Sequence, residues 1–174
     1  NKRTITIAAY PNQPDQLKTI FLTTDDSIRK HLENPPTLRY GGWSIETLDQ
    51  ARIMRGEMIR VANGVRKVID LYRDGALIFA GLADHKFLAW HNEQKQKINP
   101  AAITELIYGF VQFYKLVLDD FKQSPQGFIL RVDFKNLHLD GVKSYLVPSQ
   151  LNSIAQAFDD GKMDAPDNEG VREI

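Results

Sequence analysis

Cysteine is absent from this 174-residue chain. That excludes a disulfide framework, a thiolate zinc site and a cysteine nucleophile, and it fits a reducing, cytoplasmic setting. Net charge is absent too, with 22 Lys+Arg against 22 Asp+Glu. Domains that live on nucleic acid or anionic lipid usually carry a basic surplus or a dense basic patch. No apolar run approaches the ~18 residues that a membrane-spanning helix needs, so no membrane partner is expected. Gly and Pro number only 11 and 8, too few for a collagen-like or low-complexity chain. What is present, 43% hydrophobic and 10% aromatic content, suits a folded domain. A chain near ~150 residues buries roughly 70% of the surface that its unfolded form exposes. The chain opens on Asn1 with no apolar leader, which reads as a piece of a longer protein.

Periodicity supplies the elements. Thr4 to Tyr10 alternates as a strand with Thr4 and Thr6 toward water, and Pro11 and Pro14 stop it. A short helix is expected from Asp25/Asp26 to Glu33, ended by Asn34-Pro35-Pro36. Leu38 to Trp43 reads as a linker clamped by Tyr40 and Trp43, and Ser44 to Gln50 as a helical turn. From Ala51 to Gly81, Asn63-Gly64 and Asp74-Gly75 separate three β-rich segments, and each dipeptide suits a two-residue type I′ turn. Such turns pair 59 with 68 and 57 with 70 in the first hairpin, and 70 with 79 in the second. The face carrying Met54, Gly56, Met58, Ile69, Leu71, Ile78 and Ala80 is then expected to meet a helix.

A short helix follows at Asp84 to Trp90. Asn99-Pro100 opens the strongest helix, with Asn as N-cap and Pro at the first helical position. Ile103, Leu106, Ile107, Phe110, Tyr114, Val117, Leu118 and Phe121 share its apolar face through about Lys122. Phe128, Leu130, Val132 and Phe134 alternate inward on a strand, and a shorter apolar run reaches Val147. Pro148 begins a last helix with Leu151, Ile154, Ala155 and Phe158. The expected fold class is α+β: a mainly antiparallel sheet, made of the 51–80 meander and strands within 127–147, packed against a long helix over 100–122. A single domain over 1–160 is expected, with 161–174 a polar, loosely ordered tail.

Motifs that carry chemistry are scarce. There is no phosphate-binding P-loop, no GxGxxG after a strand and no GxSxG elbow. His31, His85, His91 and His138 show no metal-ligand spacing, so no catalytic residue, metal or cofactor is expected. In the two-residue-turn register, Glu57 and Asp70 share a face with Arg55. Two opposed carboxylates could raise one pKa for hydrolytic chemistry, or Arg55 could neutralise Asp70 as a diagonal cross-strand ion pair. Arg52, Arg55, Arg60, Arg66 and Lys67 gather in the meander and Lys86, Lys95 and Lys97 around the following loop, with Tyr40, Trp43 and Trp90 near in sequence. They would form a groove where cations meet nucleic-acid phosphates and aromatics stack on bases. Interleaved Glu46, Asp49, Glu57 and Asp70 describe an ordinary mixed surface instead.

The strings Leu38-Arg39-Tyr40-Gly41-Gly42-Trp43, Ile53-Met54-Arg55-Gly56-Glu57-Met58-Ile59-Arg60, Lys67-Val68-Ile69-Asp70-Leu71-Tyr72-Arg73-Asp74-Gly75 and Ile98-Asn99-Pro100 bear a family likeness. Over about residues 35 to 147 the chain resembles the C-terminal region of bacterial multidomain proteins with an N-terminal Schlafen/Alba-type nucleic-acid-binding or ATP-binding domain. The resemblance implies a non-catalytic accessory domain of a DNA-associated protein. Its partners would be the N-terminal domain of the same chain, a second copy in a homo-oligomer, or nucleic acid bound directly through the Arg-rich face. No catalytic residue carries over.

Overall fold

The computed structural model describes residues 2–14, 26–39, 42–55, 58–64, 66–88, 97–119, 127–138, 145–146, 163–164 and 172–173. The elements are β1 (Thr4–Pro11), α1 (Asp26–Glu33), β2 (Arg52–Met54), β3 (Met58–Asn63), β4 (Lys67–Tyr72), β5 (Leu77–Leu82) and α2 (His85–Leu88). They continue with β6 (Lys97–Ile98), α3 (Pro100–Asp119), β7 (Phe128–Lys135), β8 (Tyr145–Leu146), β9 (Met163–Asp164) and β10 (Arg172–Glu173). The main layer is a seven-stranded sheet of order β10-β7-β1-β5-β4-β3-β2, and its pairings are antiparallel. The fold is α+β, with α3 laid on one face.

Helix α3 starts as its sequence dictates. The Asn99 side-chain oxygen accepts from the Ala101 N–H at 2.9 Å, and Pro100 fills the position where a missing N–H costs nothing. Ala102, Leu106, Phe110, Phe113, Tyr114, Val117 and Leu118 form its buried side. They join Ile5 and Ile7 of β1, Ile59 and Val61 of β3, Ile69 and Leu71 of β4 and Leu77 and Phe79 of β5 in one core. Removing the cap should cost about 1 kcal/mol: Asn99→Ala is expected to unfold at lower urea with an unchanged slope. An unshifted midpoint would mean that Pro100 and burial suffice to start the helix.

Several expectations are corrected. Both meander turns are one residue longer than two-residue hairpins, because Asn63 pairs with Lys67 and the Tyr72 N–H donates to the Ala76 carbonyl at 2.8 Å. Gly75, at φ 85, supplies the left-handed residue that closes a three-residue loop. Such loops pair odd positions with odd, as in Ile59 with Leu71 and Ile69 with Phe79. The large aliphatics therefore share the helix-facing side, whereas Met58, Ile78 and Ala80 lie on the other. The strand expected to start near Ala51 is also broken. Arg55 takes φ 53 in a turn that folds β2 back onto β3, pairing Arg52 with Arg60.

Ser44 to Gln50 is not helical; Trp43, Ile45 and Thr47 are buried alternately, as in an extended segment. Of the apolar run after β7, the described residues Tyr145 and Leu146 do not join the main sheet. Tyr145–Leu146 pairs in parallel with Lys97–Ile98, and β9 adds to it in a separate three-stranded sheet. Of residues 161–174, the described ones are the two-residue strands β9 and β10, the latter paired with β7. Contrary to the reading that no apolar run nears a membrane span, α3 is long and apolar enough by length and composition. Its apolar side is occupied by the core. Phe121 and the helix expected after Pro148 lie outside the described residues.

Candidate functional site

The nucleic-acid groove expected from sequence needs its cations free and its aromatics exposed. Arg60 is spent first. It stands directly opposite Asp70 in the β3–β4 register, and its guanidinium donates to both carboxylate oxygens at 2.7 Å. This bidentate hydrogen bond raises the Arg60 pKa against the opposing effect of desolvation. Asp70 is thus neutralised by Arg60 and not by Arg55, because the longer turns replace the diagonal contact with a direct one. The pair sits on the sheet face away from α3. Glu57, its supposed carboxylate partner in acid–base chemistry, lies outside the described residues.

Lys67 is the second surprise. It pairs with Gly81, and its ammonium donates to the carbonyls of Ser44 at 2.8 Å and Glu46 at 3.1 Å. It also stands 4.5 Å from the centre of the Phe87 ring, a cation–π distance. Gly81 makes this possible: a Cβ there would meet Phe79 and Phe87 ring atoms at 3.0 Å. Burial pushes the Lys67 pKa down to about 8, opposed by the attraction of Glu46. The side chain holds the 44–47 segment on the sheet, aided by Asn63, whose amide donates to the Thr47 carbonyl at 2.8 Å.

Trp43 is likewise structural, only 8% exposed. Its backbone N–H donates to a Glu105 carboxylate oxygen at 3.1 Å. Arg39 pairs with the same carboxylate at 2.7 Å and lies 5.8 Å from the Trp43 ring centroid. A Cβ on Gly42 would come within 2.7 Å of Glu105 and 2.8 Å of Arg39, so the glycine lets this knot close. Glu105 was not singled out in the sequence; it lies 66 residues from Arg39, beyond any local pattern. Tyr40 and Trp90 lie outside the described residues.

What remains outward is the end of the meander. Arg66 is exposed beside Gly64 in the β3–β4 turn. It borders a mostly apolar depression of about 150 Å³ lined also by Thr4, Val68, Ala80 and Leu82. Arg52, Ile53 and Met54 are exposed on β2, which ends the sheet order, and Arg55 is exposed in the turn just after it. Among the described residues, no group of three or more His, Asp or Glu is placed to hold a metal ion. No family model, no curated protein and no solved structure matches this chain.

Proposed function

We propose that this chain is a non-catalytic interaction domain of a cytoplasmic bacterial protein. It would serve for partner contact, self-association or positioning of an attached domain, which by the sequence resemblance would be a Schlafen/Alba-type one. One observation carries the reading: among the described residues, Arg60, Asp70, Lys67 and Glu105 hold the fold, while β2 and the turn after it present Arg52, Ile53, Met54 and Arg55 outward. Arg60 and Asp70 engage each other, Lys67 clamps a loop, and Glu105 clamps Arg39 and Trp43. Contact surfaces need exposed apolar and arginine side chains more than shifted acids and bases.

Direct nucleic-acid binding is the second reading, favoured by the exposed Arg52, Arg55 and Arg66. Labelled single- and double-stranded DNA titrated across a salt series, with light scattering on the same sample, separates the two. The interaction reading expects no binding that falls steeply with salt. Steep salt dependence would replace it with the nucleic-acid reading, in which Arg55→Ala and Arg66→Ala each reduce the slope.

A further inference from the structure

We propose that β2 is a docking edge for an extended acidic segment of a partner protein, which adds to the sheet as a further strand. This rests on the interaction reading above and names its site and the partner's chemistry. Strand β2 ends the sheet order, so one side of its backbone has no strand partner among the described residues. Ile53 and Met54 are 37% and 38% exposed, and on a strand they point to opposite faces. An added strand would cover both while taking up the open backbone groups, as in β-augmentation.

Charge selects the occupant. Arg52 stands directly across from Arg60, and both oxygens of the carboxylate beyond, Asp70, are engaged by Arg60. Like charges directly opposed across strands are unfavourable, and no ion pair relieves Arg52 among the described residues. The nearest preceding acid, Asp49, accepts from the Gln50 N–H at 2.8 Å. A carboxylate on an incoming strand would meet Arg52, and a second, beyond the end of β2, would reach Arg55 in the turn. A second copy of β2 fails the same test. In the fully overlapping antiparallel register of β2, Arg52 of one copy faces Met54 of the other and meets no carboxylate, and in-register parallel pairing sets Arg52 against its twin. With three residues spanning roughly 10 Å, backbone bonds are few and the contact is weak, so charge dominates selectivity.

The test is an NMR titration of the whole chain with the capped peptide Thr-Glu-Val-Glu-Val-Glu-Thr and its counterpart with Lys for Glu. The acidic peptide should shift the amides of residues 52–55 and slow their hydrogen exchange, and the basic one should not. Arg52→Glu with Arg55→Glu, both exposed and remote from the core, should weaken the acidic peptide on the order of tenfold and reverse the preference. Equal response to both peptides, insensitivity to charge reversal, or protection elsewhere would overturn the proposal. So would a concentration-dependent dimer that protects 52–55. If DNA binding is absent and the peptides also fail, only this inference falls; salt-steep DNA binding removes the broader reading itself.

Discussion

Replacing Tyr114 with alanine should destabilise the fold by about 4 kcal/mol, while phenylalanine at the same position should cost about 1–2 kcal/mol. Tyr114 is fully buried in the middle of α3's inward side. Its ring meets Phe128 of β7 edge-on, with centroids 5.1 Å apart and planes at 77°. Its hydroxyl donates to the Gly75 carbonyl at 3.0 Å, tying the helix to the turn that sets the β4–β5 register. Burial pushes the phenol's pKa up, so it stays a donor across the accessible pH range. Alanine removes the ring and leaves a cavity, and the transfer and cavity terms add. Phenylalanine keeps the ring but strands a carbonyl that has lost its donor, and the desolvation of that one group sets the smaller cost. Urea unfolding of the three proteins checks the split. Equal losses for both variants would show that the hydroxyl, not the ring, dominates, and a neutral Tyr114→Phe would show that the Gly75 carbonyl finds another donor.

The same residues show where the sequence is legible. The period of α3, its Asn-Pro start and the alternation of β7 are local signals, and each element is found where its signal lies. Tyr114 was legible as a core residue, but its bond to Gly75 joins residues 39 apart and leaves no local trace. The meander was recognisable from its turn dipeptides, yet its register depends on loop length. Asn-Gly and Asp-Gly are compatible with either two- or three-residue loops, because both need a left-handed residue. What decides is the burial of Ile59, Val61, Ile69, Leu71, Leu77 and Phe79 together under α3, a tertiary gain that overrides local preference. Two of the residues expected in a binding groove are engaged elsewhere for a related reason. A cation or an indole looks the same in sequence whether it faces water or clamps a loop, and Lys67 and Trp43 do the latter.

Lys67 makes its structural role measurable through pH. Its amine titrates near 8 in the folded chain, against 10.5 for an ordinary lysine. Below pH 8 both folded and unfolded chains carry the proton, and the folded state bears the full cost of desolvating the ammonium. Between 8 and 10.5 the folded amine releases its proton while the unfolded one keeps it. The unfolded state then binds more protons, and stability rises with pH. Above 10.5 both forms are neutral and this gain is complete, at up to roughly 3 kcal/mol before allowing for the water that still reaches the group. The neutral amine can still donate to the Ser44 and Glu46 carbonyls, so the 44–47 segment keeps its anchor. Urea midpoints of the wild type and Lys67→Met, compared from pH 7 to 10.5, isolate this contribution from every other titrating group. The difference between the two should move in favour of the wild type as pH climbs through 8. Lys67→Arg, which stays charged throughout, should show no such gain. A flat difference across that window would mean that the two carbonyls and the Phe87 ring compensate the buried charge in full, and that Lys67 holds the loop with an ordinary pKa.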